Sequence, residues 1–244
     1  MNLAYCEDHK ISNPLIDQHC TSEEKLLIQN NSHTHDFRKG DIIFFDFQPA
    51  TYVHLILNGK VKLWKEGIHT HHMITSFAKN GDMIGNRGCM KNSNYLLSAS
   101  AIENTKICLI HKDIFSKILD QNKKLHSEIL NNYINNLEIT ERRLRNIAEM
   151  NVREKTADAI LFLLDKFGFE KDSQTLNIKL SREDLASIAG ISTDRVVKQI
   201  GEFENDNLIA AQGQNIMIKN LKNLNEIISL YACRILLILL LNIL

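Results

Sequence analysis

Between Phe37 and Ile110 the apolar positions come in short bursts separated by glycine. FRKGDIIFF, YVHLILNGKVKLWKEG, HHMITSFAKNGDMIGN and LLSASAIENTKICLI carry β-branched and aromatic residues in partial alternation, the period at which a strand shows side chains to one face of a sheet. The segments LNGK, KEGI, KNGD and IGNRG place glycine where the chain must reverse. Strands this short and closely spaced predict an antiparallel sandwich or barrel of jelly-roll type rather than an open parallel sheet. After His111 the period changes. No proline or glycine occurs from Lys112 to Met150, and Ile129, Tyr133, Ile134, Leu137, Leu144 and Ile147 recur at three- and four-residue steps, so one long helix is expected. A helix of roughly thirty residues reaches about 45 Å, farther than a small barrel needs for cover. Its stripe is flanked by Glu138, Glu141, Arg142, Arg143 and Arg145, which suits a seam between two subunits. The alternative is a helix lying along its own barrel.

Downstream, VREKTADAILFLLDKFG is an amphipathic helix ended by Gly168, TLNIKL a short strand, and LIAAQGQNIMIKN a hairpin turning at Gly213. A further helix starts over Leu221 to Ile228. The expected class is α+β: an N-terminal arm and barrel at 1–111, the long helix at 112–150, a winged helix-turn-helix at 151–228 and an apolar tail at 229–244.

LSREDLASIAGISTDRVVKQIGEFENDNLI, Leu180 to Ile209, carries the chemistry. Ser181 caps a first helix whose inner face is Leu185, Ile188 and Ala189, with acids in the first turn to suit its dipole. Ala186 is small where a second helix crosses, Gly190 permits the positive φ of a tight turn, and Ser192 caps the second helix, which turns Val196, Ile200 and Phe203 inward. Thr193, Asp194, Val197 and Lys198 then share the outward face near its N-terminus, where a major-groove helix meets base edges. Lysine can donate to guanine, aspartate can accept from a cytosine amine, and valine can meet a thymine methyl. Lys179, Arg182, Ser192 and Arg195 are placed for phosphates, which position without reading sequence. The bland alternative is a three-helix packing unit.

Composition adds limits. Lys+Arg and Asp+Glu are equal at 29 each over 244 residues, so no global basic field advertises nucleic acid, and any DNA contact must come from a local patch. The five cysteines are scattered and odd in number, and no signal peptide opens the chain, so reduced thiols in a cytoplasm are expected. No nucleophile elbow, phosphate loop or HExxH motif points to an enzyme. The last eighteen residues, IISLYACRILLILLLNIL, hold one charge, Arg234, but the run after it is shorter than the roughly 20 residues that span a bilayer. A packed terminal helix or a dimer contact is expected there, with a membrane-surface anchor as the alternative.

From Phe37 to Leu224 the arrangement resembles the Crp-Fnr family of bacterial transcription regulators, on FRKGDIIFF, LILNGKVKLWKEG, GDMIGNRG, the long helix, VREKTADAILFLL and, most specifically, the stretch from Leu180 to Ile209. The resemblance implies a cyclic-nucleotide-binding-like barrel, a dimerising helix and a winged helix reading an inverted repeat of double-stranded DNA as a homodimer, with RNA polymerase as a partner. Where the family's recognition helix commonly has Arg-Glu-x-x-x-Arg, this chain has Thr193, Asp194 and Lys198, so the role carries over while the family's DNA word does not. Cyclic-AMP-binding members place a Gly-Glu-Leu turn and an Arg-Ser or Arg-Thr pair around the phosphate. The matching pocket residues here are Gly85, Asn86, Arg87 and Ser98, with no glutamate and no arginine near Leu96, so another small-molecule effector, or none, is expected. Oxygen-sensing relatives carry N-terminal cysteines for an iron–sulfur cluster; Cys6, His9, His19 and Cys20 form a candidate zinc set, and an iron–sulfur site would need Cys89 or Cys108 as well. Haem is a third candidate, through His69, His71 or His72 in a barrel hairpin. The sequence requires none of these cofactors. A second reading has the barrel bind a ligand and the winged helix dock a protein partner, with the tail at a membrane surface.

Overall fold

The computed structural model describes residues 4–5, 13–67 and 72–228. The chain divides into two compact units, Met1–Ile139 and Thr140–Leu244.

The first unit begins with strand β1 (Ala4–Tyr5) and helices α1 (Pro14–His19) and α2 (Ser22–Asn30), followed by β2 (Ser32–Phe37), β3 (Ile42–Phe44), β4 (Tyr52–Asn58), β5 (Lys60–Glu66), β6 (His72–Lys79), β7 (Met83–Ile84), α3 (Asn86–Met90), β8 (Ser98–Ala101), β9 (Thr105–His111) and α4 (Lys112–Gln121). The strands form two antiparallel sheets, ordered β1-β2-β9-β4-β7 and β3-β8-β5-β6, as the alternation predicts. Val53, Leu55, Ile56, Val61, Ala99 and Ile107 lie at zero exposure in one core. Residues 13–30 of the N-terminal arm form two capped helices. Asn13 caps α1 and Thr21 with Glu24 closes a capping box on α2, a T-x-x-E signature written in the sequence.

The expected single helix after His111 is two. Asn122 takes φ −107, ψ 83 after α4, and its Oδ1 accepts from Leu125 N at 2.9 Å, capping α5 (Lys123–Glu149). Its Nδ2 donates to the His19 carbonyl and to Glu24 Oε2, so side-chain bonds to distant residues stabilise a break that helix propensity opposes. The apolar stripe also divides. Leu125 and Ile129 are buried in the first unit's core with Tyr133 packed against it, whereas Leu130, Ile134, Leu137 and Leu144 are exposed. Leu130 extends the outward stripe beyond the residues the periodicity singled out.

The second unit takes the end of α5, then α6 (Val152–Phe167), α7 (Arg182–Ala189), α8 (Thr193–Asn205) and the antiparallel hairpin β10 (Ile209–Gln212) and β11 (Asn215–Ile218); residues 221–228 are helical. Asn151 and Glu154 form a capping box on α6, and Gly168 ends it at φ 70. Residues 175–180, expected as a strand, are an extended segment held by isolated bridges, Thr175 to Met217 among them. Ile160, Leu163, Leu185, Val196 and Phe203 form its buried interior.

Candidate nucleic-acid interface

The α7–α8 corner forms as its residue types require. Ser181 Oγ accepts from Asp184 N at 3.0 Å. Gly190 takes φ 65, ψ 37, and the Ala186 carbonyl accepts from both Gly190 N and Ile191 N. A Cβ at position 190 would stand 3.0 Å from Ile147 Cγ2, so a larger residue would press on Ile147 besides being strained by the positive φ. Val196, Ile200 and Phe203 are buried, as the helical spacing predicts. Gln199 is also buried, with Nε2 lacking a hydrogen-bond partner.

The opposite face of α8 is open. Asp194, Arg195, Val197 and Lys198 are exposed and Thr193 half-buried; Val197, at 51 % exposure, is an apolar side chain held in water at the end of the helix that meets bases in this motif. Lys179 and Ser192 are exposed and Arg182 is half-buried. Ser192 has the extended N-cap backbone (φ −71, ψ 153), but its side chain makes no capping bond, contrary to the expectation that it caps α8. The hairpin closes through a two-residue turn at Gly213, φ 58, and Ala211 N donates to Glu204 Oε1 at 2.8 Å, tying the hairpin to α8.

In the first unit Gly85, one of the residues expected around an effector, is crowded by aromatic side chains. Gly85 takes φ 77 at the head of α3. A Cβ there would lie 2.9 Å from the Tyr95 ring and 3.1 Å from His54 Nδ1. Tyr95 stacks on Phe44 at 4.1 Å, accepts from Tyr52 N and donates to the Tyr52 carbonyl, and burial pushes its hydroxyl up to about 12. His54 is held down to about 3 by burial. Asn86 is buried, Arg87 exposed, and Ser98 is buried with its Oγ accepting from Asp46 N at 3.0 Å. An open hollow of about 270 Å³ lies instead against Asp46, Phe47, Lys65 and residues 93–96; Gly85, Asn86, Arg87 and Ser98 do not line it.

Of the candidate metal set, Cys6 and His9 lie outside the described residues, as do His69 and His71. Cys20 is buried and its thiol pushed up to about 11, mainly by burial, which disfavours the thiolate that binds metal. Among the described residues no group of three or more His, Cys, Asp or Glu side chains could hold an ion, and no helix there is long and apolar enough to cross a membrane.

Two family models match the chain. Residues 34–122 match the cyclic nucleotide-binding domain and residues 154–227 the Crp-like helix-turn-helix domain. The chain belongs to the Crp-Fnr family of transcription regulators. Among its relatives, the anaerobic regulatory protein of Aggregatibacter actinomycetemcomitans is 23% identical over 91% of this chain and 87% of its own length. The electron transport regulator A of Shewanella oneidensis is 25% identical over 77% of this chain and 75% of its own length. In fold the chain is similar to FixK2 from Bradyrhizobium japonicum, with TM-score 0.72, 18% identity and coverage of 80% and 96% of the two chains. This Crp-Fnr chain is thus a transcription regulator with a helix-turn-helix DNA-binding domain, and the relatives it matches are regulators rather than enzymes.

Proposed function

We propose that this regulator works in the cytoplasm as a homodimer, joined along the outward stripe of α5, and reads an inverted repeat with one α8 in each of two major grooves. Thr193, Asp194, Val197 and Lys198 meet base edges; Lys179, Arg182, Ser192 and Arg195 hold phosphates. The observation that carries the reading is the division of α8: Val196, Ile200 and Phe203 are buried while Asp194, Val197 and Lys198 stand exposed at the N-terminal half. The Ser192 hydroxyl makes no capping bond to α8, and a helix N-terminus suits an anion. The stripe Leu130, Ile134, Leu137 and Leu144 recurs at three-, four- and seven-residue steps, a coiled-coil spacing. RNA polymerase is the partner the family membership suggests.

The effector, if the barrel takes one, is not cyclic AMP. Asn86 replaces the acid that the nucleotide-binding members use, no arginine stands near Leu96, and the Tyr95 ring crowds Gly85. Selection of a random duplex pool by the purified chain, followed by sequencing, tests the reading. Enrichment of an inverted repeat with half-sites about one helical turn apart supports it. Enrichment of single half-sites removes the dimer, and binding that no sequence competes for removes base reading by α8.

A further inference from the structure

The last turns of α5 belong to the second unit, and their side chains reach the helix-turn-helix from behind. Arg143 is only 8 % exposed although charged. Its Nη2 donates at 2.9 Å to the carbonyl of Ile188, next to last in α7, and its guanidinium lies 4.2 Å from the centroid of the Phe162 ring on α6. Burial disfavours the charge, and the Asp158 carboxylate opposes that. One turn on, Asn146 Nδ2 donates to Asp158 Oδ1 at 2.9 Å, and Ile147 closes on Gly190. The end of α5 is therefore tied to α6, to α7 and to the turn before α8. Its neighbour Leu144 is 68 % exposed on the outward stripe. Within two residues the helix offers one side chain to the recognition motif and another to the seam.

We infer that Arg143 is a positioning residue for half-site spacing: it locks the last turns of α5, which bear the seam residue Leu144, to the α7–α8 corner, and so sets the angle between that end of α5 and the recognition helix. The inference rests on the dimer reading above. A guanidinium that stacks on a ring and donates to a fixed carbonyl is directional, as apolar packing is not. The bond also meets a carbonyl near the end of α7, one of those left without an intrahelical partner. Reading of the half-site word, by contrast, belongs to the outward face of α8, which Arg143 does not touch.

The test uses the full chain and inverted repeats that keep the selected half-site word and vary the spacer by a few base pairs either way. The parent is expected to prefer one spacer sharply. Arg143→Met keeps the apolar stem over Phe162 and cannot donate; its preference for the best spacer over a neighbour should fall roughly tenfold, the scale of one charge-assisted hydrogen bond. The half-site word and the salt dependence should stay unchanged. Phe162→Leu removes the stacking surface and should flatten the same profile, which provides a second route should the first variant fail to fold by circular dichroism. Lys198→Ala should alter the word at one position and leave the spacer profile intact. A folded Arg143→Met or Phe162→Leu protein with the parental spacer profile overturns the inference. A parent that enriches half-sites singly, or none, removes the dimer reading beneath it instead.

Discussion

Two residues show how local environment becomes a measurable property. Lys198 is exposed on α8 and, as a base-edge donor, should contribute about 1–3 kcal/mol of discrimination at one base pair. Lys198→Ala is therefore expected to weaken specific binding roughly 5- to 150-fold for each half-site engaged while changing random-duplex binding little, as measured by competition titration. His54 is the titrating counterpart in the barrel. Burial holds its imidazole down to about 3 from an ordinary 6.5, so the folded chain refuses a proton that the unfolded chain accepts. Its contribution to stability is whole above pH 6.5 and is lost as pH falls toward 3. About 2–3 kcal/mol should be gone by pH 4.5. Denaturant unfolding of the first unit at pH 7 and 4.5 should show that loss, and His54→Gln should flatten it. Neither property is visible in composition: the exposure of Lys198 follows from helical phase, whereas His54 occupies a strand position whose neighbours, Phe44 and Tyr95, come from distant segments.

Among the elements, those with local causes were legible in the sequence. The α7–α8 corner follows from Ser181, Ala186 and Gly190, and the wing hairpin from Gly213, because each depends on neighbours a few residues away. The break between α4 and α5 was not legible, since residues 112–150 contain no helix breaker and the cause lies in what Asn122 reaches across the fold. Asn122→Ala removes the α5 cap and the bonds to His19 and Glu24. It should cost about 1–2 kcal/mol in denaturant unfolding monitored through the buried Trp64. The two faces of α5 were fused into one stripe for a related reason: periodicity reports apolar positions but not which of two surfaces each one covers. The base contacts, the phosphate contacts and the spacing role of Arg143 stand as expectations drawn from exposure and geometry.

At the scale of the whole molecule, charge and assembly decide behaviour. With 29 basic and 29 acidic residues, attraction to DNA must come from the few cations around α8. The slope of log affinity against log salt is thus expected to reflect the handful of phosphate contacts named above in each subunit. If the proposed dimer forms along the outward stripe of α5, Leu137→Glu places a charge in its seam and should give a monomer in sedimentation where the parent gives a dimer. It should reduce inverted-repeat binding much more than binding to a lone half-site. The division of the chain at Ile139 and Thr140 also bears on inheritance. The loop after α5 looks like the natural place for two genes to exchange a sensor for a reader. A crossover there would part Arg143 from Ile188 and Ile147 from Gly190. Recombinants that survive should carry their joint inside the helix, so a reading module is passed on together with the last turns of the helix before it.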